Sequence, residues 1–158
     1  MSNIIFVDMI SSAKTITNHA PDVVWPYLLN QASWMKEFVI DTVAGERNKE
    51  GEIKKVAPLA AEFQPFFFKT LSLVPFRKFL WKAYTENRGG QYSFTGIEVL
   101  RLKDYGANSV VTFDAYLEIQ SESMTKLELD TFAKEGQEGS ARLWDRNFQR
   151  LNALLDHA

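Results

Sequence analysis

The chain has no cysteine at all, and only two histidines, His19 and His157, among its 158 residues. Without a thiol there can be no disulfide, thiolate zinc site, iron–sulfur cluster or cysteine nucleophile. Two histidines so far apart give no basis for a histidine metal centre, so neither a metal nor any other cofactor is expected. Charge of one sign is also missing: 18 basic residues stand against 20 acidic ones, with a net charge of −2 and a pI near 5.7. That balance lacks the basic footprint of a nucleic-acid binder, and no nucleic-acid partner is expected. No apolar run approaches the roughly 20 residues of a membrane span. The opening "MSNIIFVDMISS" lacks the basic start and long apolar stretch of a signal peptide. The reading is a cytoplasmic protein with no membrane span. There is no repeat, low-complexity tract or linker, so residues 1–158 are read as one domain, large enough to bury most of its apolar surface.

Aromatic residues, by contrast, are abundant: 12 Phe, 5 Tyr and 4 Trp, 13% of the chain. Bulky rings fill a core, but they also wall a cavity, because they do not collapse into the space they surround.

Along the chain, Ile4 to Asn18 reads as a strand. Pro21 suits a helix start, Asp22 suits the positive end of a helix, and Val24, Trp25, Leu28 and Leu29 supply an apolar stripe. Pro26 then requires the helix to begin near Asp22 or to bend. A second short helix is expected over "QASWMKEF", with Trp34, Met35 and Phe38 on one side. "VIDTVA" and "EIKKVA" form a hairpin around the charged turn "GERNKEGE". After an interruption at Pro58 and "AAEFQP", strands follow in "FFFKTLSLV", "FRKFLWKAY", "QYSFTGIEVLRL" and "SVVTFDAYLEI", with breaks at "NRGG" and "DYGAN". From Ser140 to the end, Leu143, Trp144, Phe148, Leu151, Leu154 and Leu155 recur at helical spacing. "MTKLELDTFAKEGQEG" is expected to be a shorter helix, separated from the last by Gly136 and Gly139.

One glutamate stands out. In "QYSFTGIEVLRLKD" the even positions are Tyr92, Phe94, Gly96, Glu98, Leu100 and Leu102, so alternation puts Glu98 on the buried face. In the next strand the odd residues Val111, Phe113, Ala115, Leu117 and Ile119 point inward. A tight turn at "DYGAN" sets Glu98 opposite Ala115, unless Gly96 marks a bulge that moves it outward. An unpaired charge in a dry interior is costly, so Glu98 is expected to be protonated, hydrogen-bonded, or facing the polar part of a ligand.

The order of strand, two short helices, long antiparallel meander and amphipathic C-terminal helix, with Ile16, Ala20, Pro21, Val24 and Trp25 at the first junction, resembles the START-related SRPBCC superfamily of polyketide cyclases and lipid transporters. "VPFRKFLW" and "FTGIEVLRLKDYGANSVVTF" are similar to that family's meander. The resemblance implies an α+β helix-grip fold: a curved antiparallel sheet of about seven strands around a long C-terminal helix, enclosing a hydrophobic cavity. Family members often carry a histidine where this chain has Glu98 and a glutamate where it has Ala115. No role carried by those residues transfers.

The leading expectation is therefore binding of a small hydrophobic or amphipathic ligand between sheet and helix. The wall residues would be Phe79, Trp81, Tyr92, Phe94, Leu100, Phe113, Leu117, Trp144 and Phe148, with Glu98 as the polar contact. One alternative is a cyclase/aromatase- or dehydratase-like enzyme that uses Glu98 as acid/base. Another is a protein–protein module with a filled core. The basic aromatic strand "FRKFLWK" reads as a solvated face, and His19, although near Asp22, as a loop histidine at a helix entrance. The sequence leaves the oligomeric state open, a homodimer included.

Overall fold

The computed structural model describes residues 3–60, 64–86 and 90–158. Seven strands, β1 (Ile5–Thr17), β2 (Phe38–Ala44), β3 (Ile53–Pro58), β4 (Phe66–Val74), β5 (Lys78–Tyr84), β6 (Ser93–Tyr105) and β7 (Asn108–Ser121), form one antiparallel sheet in the order β1-β7-β6-β5-β4-β3-β2. Helix α1 (Pro21–Leu29) follows β1, and the long helix α2 (Lys126–Asp156) closes the chain against the inner face of the sheet. This is the helix-grip arrangement. The breaks expected at "AAEFQP" and "NRGG" fall in part on residues 61–63 and 87–89, outside the described residues.

Strand register follows from alternation. The β6–β7 pairing runs without a shift from Ser93↔Gln120 to Tyr105↔Asn108, so no bulge forms at Gly96 and Glu98 lies opposite Ala115. The inward odd residues of β7, from Val111 to Ile119, are all buried. Gly96 has another use. A Cβ built there would meet the Tyr116 carbonyl oxygen at 2.1 Å and Leu117 Cα at 2.7 Å, a spacing only glycine permits. Gly96→Ala is accordingly expected to cost about 2–3 kcal/mol by forcing β6 and β7 apart beside Glu98, measurable as a fall in chemical-denaturation midpoint.

Helix α1 begins at Pro21, whose missing N–H would have had no helical partner, and it runs through Pro26 to Leu29. Pro26, the sixth of its nine residues, forfeits one helical bond, while Val24, Trp25 and Leu28 are buried. The second short helix over "QASWMKEF" does not form; a single 3-10 turn, Gln31–Ser33, replaces it. The Trp34 indole donates to the Tyr27 carbonyl (2.9 Å), Trp34 and Met35 turn into the core, and Phe38 is taken by β2, paired with Pro58. Tertiary contacts override a local helical pattern here.

The C-terminal region also departs from expectation. It is one helix of 31 residues, unbroken at Gly136 or Gly139. Thr125 and Glu128 form a reciprocal capping box at its start: the Glu128 N–H donates to Thr125 Oγ1 (3.2 Å) and the Thr125 N–H to Glu128 Oε2 (3.4 Å). Gly136 lies where a Cβ would sit 2.7 Å from Met9 Sδ, so its bareness lets helix and β1 approach closely; at Gly139 the nearest atom is Arg142 Nη2, 3.9 Å away. Gly139→Ala is expected to stabilise the fold by about 0.5–1 kcal/mol, and Gly136→Ala to lose that gain by displacing Met9. Paired thermal melts of the two variants check this.

The surroundings of His19, the strand at Lys78 and the turn before β3 differ from their sequence patterns in detail. His19 Nε2 lies 2.9 Å from Asp156 Oδ1 at the end of α2, so its carboxylate neighbour is not Asp22, which instead accepts from the Val23 N–H. In "FRKFLWK" the strand begins at Lys78, with Phe79 and Trp81 buried and Lys82 exposed. Phe76 sits in the preceding turn at φ 66°, its ring edge-on to Trp25. "GERNKEGE" is not wholly solvated, because its last residue, Glu52, is fully buried. Glu52 accepts from Thr42 Oγ1 (2.5 Å) and from the Asn48 N–H (2.9 Å). Lys54, also buried, stands 3.9 Å from Glu52 and donates to Gln31 Oε1 (3.0 Å).

Candidate ligand cavity

The inner face of the sheet is divided in two. Toward the β4–β5 and β6–β7 turns it is filled: Phe113 stacks on Trp144 with ring centroids 3.7 Å apart, Trp81 packs on Phe79 (4.8 Å), and Trp144 meets Trp34 edge-on (5.6 Å). Toward Tyr84 and Ser93 it is hollow. A cavity of about 200 Å³ lies there between sheet and helix. The sheet contributes Met9, Phe38, Phe66, Phe68, Ala83, Phe94, Glu98, Leu117 and Ile119; Tyr92 flanks β6, Met35 precedes β2, and α2 adds Phe132, Gly136, Ser140, Leu143 and Trp144. The walls are overwhelmingly apolar, with five phenylalanines and a tryptophan among them. Tyr92 and Phe132 meet with ring centroids 4.5 Å apart at the wall nearest the β6 start.

Among the described residues Glu98 is the one carboxylate in this lining. Across β5 it faces Trp81, whose indole Nε1 donates to Glu98 Oε1 at 2.9 Å, and across β7 it faces the small Ala115. The charge of the ionised form is poorly solvated. Burial pushes the Glu98 carboxyl up from 4.5 to about 7, against the opposing pull of the Trp81 hydrogen bond. Near neutral pH the group is therefore divided between acid and carboxylate, able to donate or accept a proton. Tyr92 is also titratable, and burial raises its hydroxyl, with Gln64 bonding in the opposite sense. Ser140 Oγ donates to Ser11 Oγ (3.1 Å), tying α2 to β1 at the cavity wall.

Of the residues named from the sequence, Glu98, Tyr92, Phe94, Leu117 and Trp144 line the cavity. Phe79, Trp81, Leu100, Phe113 and Phe148 do not. They belong to the filled half, where neighbouring rings cover them, and Trp81 reaches the cavity chemistry only through its bond to Glu98. Alternation chose the correct face but could not say which half of it is hollow. The wall residues that sequence reasoning missed had partial signals. Ile119 shares the inward parity of Leu117, and Phe66 and Phe68 alternate in "FFFKT". Phe132, Gly136, Ser140 and Leu143 lie at i, i+4, i+8 and i+11 of one helix face, a stripe concealed by the break expected at the two glycines.

Among the described residues no group of three or more His, Cys, Asp or Glu is placed to hold a metal ion. Among them, too, no helix is long and apolar enough to cross a membrane. No family model matches the chain, and no curated protein matches it in sequence. Solved structures do match in shape. Protein MLL2253 of Mesorhizobium loti superposes with a TM-score of 0.69 at 13% identity, over 94% of this chain and 98% of that one. Ara h 8.0201 gives 0.63 at 9% identity over 96% and 100%. A truncated norcoclaurine synthase from Thalictrum flavum gives 0.63 at 9% identity over 98% and 98%. The chain thus has the START-type helix-grip fold, and at these identities the likeness is one of fold.

Proposed function

We propose that this chain, as a single domain, binds a small apolar or amphipathic molecule in the cavity between sheet and α2, with Glu98 at the polar end of the guest. The observation that carries this reading is the desolvated carboxyl of Glu98 in a cavity whose remaining lining is almost entirely aromatic and aliphatic. In a purely structural core the carboxyl would serve only as acceptor for the buried Trp81 indole, at the cost of desolvating an ionisable group, whereas a binding site also gains an oriented polar contact. At about 200 Å³ the space somewhat exceeds the ~150 Å³ apolar cavity that holds a benzene-sized guest. One ring or a short chain with a single polar end fits that scale.

Native mass spectrometry of gently purified protein, followed by extraction, tests the reading. A co-purifying or added small amphiphile should appear as a discrete mass increment. Ala83, buried on β5 and lining the cavity, offers a way to close it. Ala83→Leu projects into the void, and it is expected to abolish the increment while holding or raising the melting temperature, because filling a cavity adds contacts. Guest binding undiminished in Ala83→Leu would place the guest elsewhere.

The second reading, an enzyme using Glu98 as acid/base, is favoured by a carboxyl that titrates near 7, where general acid–base groups are most effective. One protein of the same fold is by name a synthase. Chemical conversion of a bound guest at a rate that follows the ionisation of Glu98, and disappears in Glu98→Gln, distinguishes enzyme from carrier. The open cavity counts against the third reading, a protein–protein module with a filled interior.

A further inference from the structure

We infer, building on the binding reading above, that the polar end of the guest is a protonated amine, so that the cavity selects small arylalkyl- or alkylamines over the matching alcohols and acids. The geometry around Glu98 points this way. Its Oε1 already accepts from the Trp81 indole, and among the described residues no side chain or backbone donor serves Oε2. That oxygen is left for a donor that enters the cavity, water or the guest.

The charges facing Glu98 sharpen the choice. From β5 it meets Trp81 and from β7 Ala115; the lining residues of β1, β2, β4 and α2 are Met9, Phe38, Phe66, Phe68, Phe132, Gly136, Ser140, Leu143 and Trp144, none of them charged. Among the described residues Tyr92 is the one other titratable group of the lining, and it carries no positive charge. Lys54, the buried cation of β3, lies outside the lining and is engaged by Gln31 and Glu52. The cavity therefore offers a latent negative charge with no basic side chain in its described lining. An acid guest would set a second carboxylate beside Glu98 and force one of the two to remain protonated. An alcohol gains one hydrogen bond. An ammonium gains a charge-assisted bond to Glu98 in a cavity lined by aromatic rings, Phe68, Phe94 and Trp144 among them, a residue type whose π-systems attract cations.

Ionising Glu98 to receive the cation also releases the proton the carboxyl holds below about pH 7. Binding and proton release are then coupled. The amine should bind about tenfold tighter at pH 8 than at pH 6, with roughly half a proton released per guest at pH 7.

Calorimetric titration of the full chain and of Glu98→Gln with 2-phenylethylamine, 2-phenylethanol and 3-phenylpropionate tests this. Each titration is run at pH 6, 7 and 8, in pairs of buffers with different ionisation enthalpies. The expected result is amine bound at least ~10-fold tighter than alcohol at pH 8, acid weakest, and proton release seen with the amine alone. In Glu98→Gln the amine preference and the proton release should vanish while the alcohol still binds. Alcohol bound as tightly as amine, acid bound best, or an amine preference that survives Glu98→Gln would overturn the amine inference and leave the cavity reading standing. No binding of any of the three overturns both.

Discussion

Replacing Glu98 by glutamine is expected to raise the melting temperature by about 5–10 °C at pH 8 and to leave it nearly unchanged at pH 4. The unfolded chain releases this proton near 4.5, whereas the folded protein holds it to about 7. Between those values the unfolded state binds fewer protons, so folding weakens as pH rises through this window, and the full cost is present above 7. A shift of that size corresponds to on the order of 2–3 kcal/mol for a carboxyl that still touches the cavity. Glutamine keeps the acceptor for Trp81 and removes the charge. Differential scanning calorimetry across pH 4 to 8 reads the effect. An equal shift at both ends would mean that Glu98 is uncharged, or well solvated, throughout. The same variant is expected to lose any amine preference, so stability and binding should move in opposite directions, the usual signature of a site held at the expense of folding.

The second large effect is expected at Glu52. Glu52→Ala should cost about 3–5 kcal/mol, because it strands the buried Lys54 ammonium and frees Thr42 and the Asn48 N–H from their acceptor. Adding Lys54→Met should recover part of that loss, since the double variant carries no uncompensated buried charge, and a double-mutant cycle in urea would measure the coupling. Burial already holds the Lys54 amine below its ordinary value of 10.5, with Glu52 opposing that shift. In Glu52→Ala the amine loses its proton more readily, and the deficit should shrink as pH is raised from 7 toward 10. Additive single effects, or a deficit independent of pH, would show that the pair is not coupled.

Much of this architecture is legible in the sequence. Alternation in two long strands fixes both the buried face and the pairing of Glu98 with Ala115, because one face of each strand is nearly uniform in polarity. The C-terminal amphipathic stripe likewise identifies the gripping helix. What escaped has specific causes. "QASWMKEF" has a helical pattern, but two of its residues are claimed by the core and one by β2. Gly136 reads as a breaker, yet it serves contact with Met9, and a contact partner over a hundred residues away leaves no local trace. Glu52 looks like one more charge in a polar turn, since a buried acceptor and a solvated one are spelled alike. The hollow half of the sheet could not be located because parity reports direction and not depth.

The division of the inner face into a packed half and a hollow half has a consequence for how this protein can change. Trp34, Trp81, Phe113 and Trp144 interlock at one end and hold sheet to helix, while Phe66, Phe94 and Leu117 border empty space at the other. Substitutions at the hollow end reshape the guest's surroundings without dismantling the contacts that keep the chain folded. Trp144 belongs to both halves, but apart from it foldedness and selectivity rest on different residues, and a new specificity can be reached by a few steps at one end while the other stays fixed.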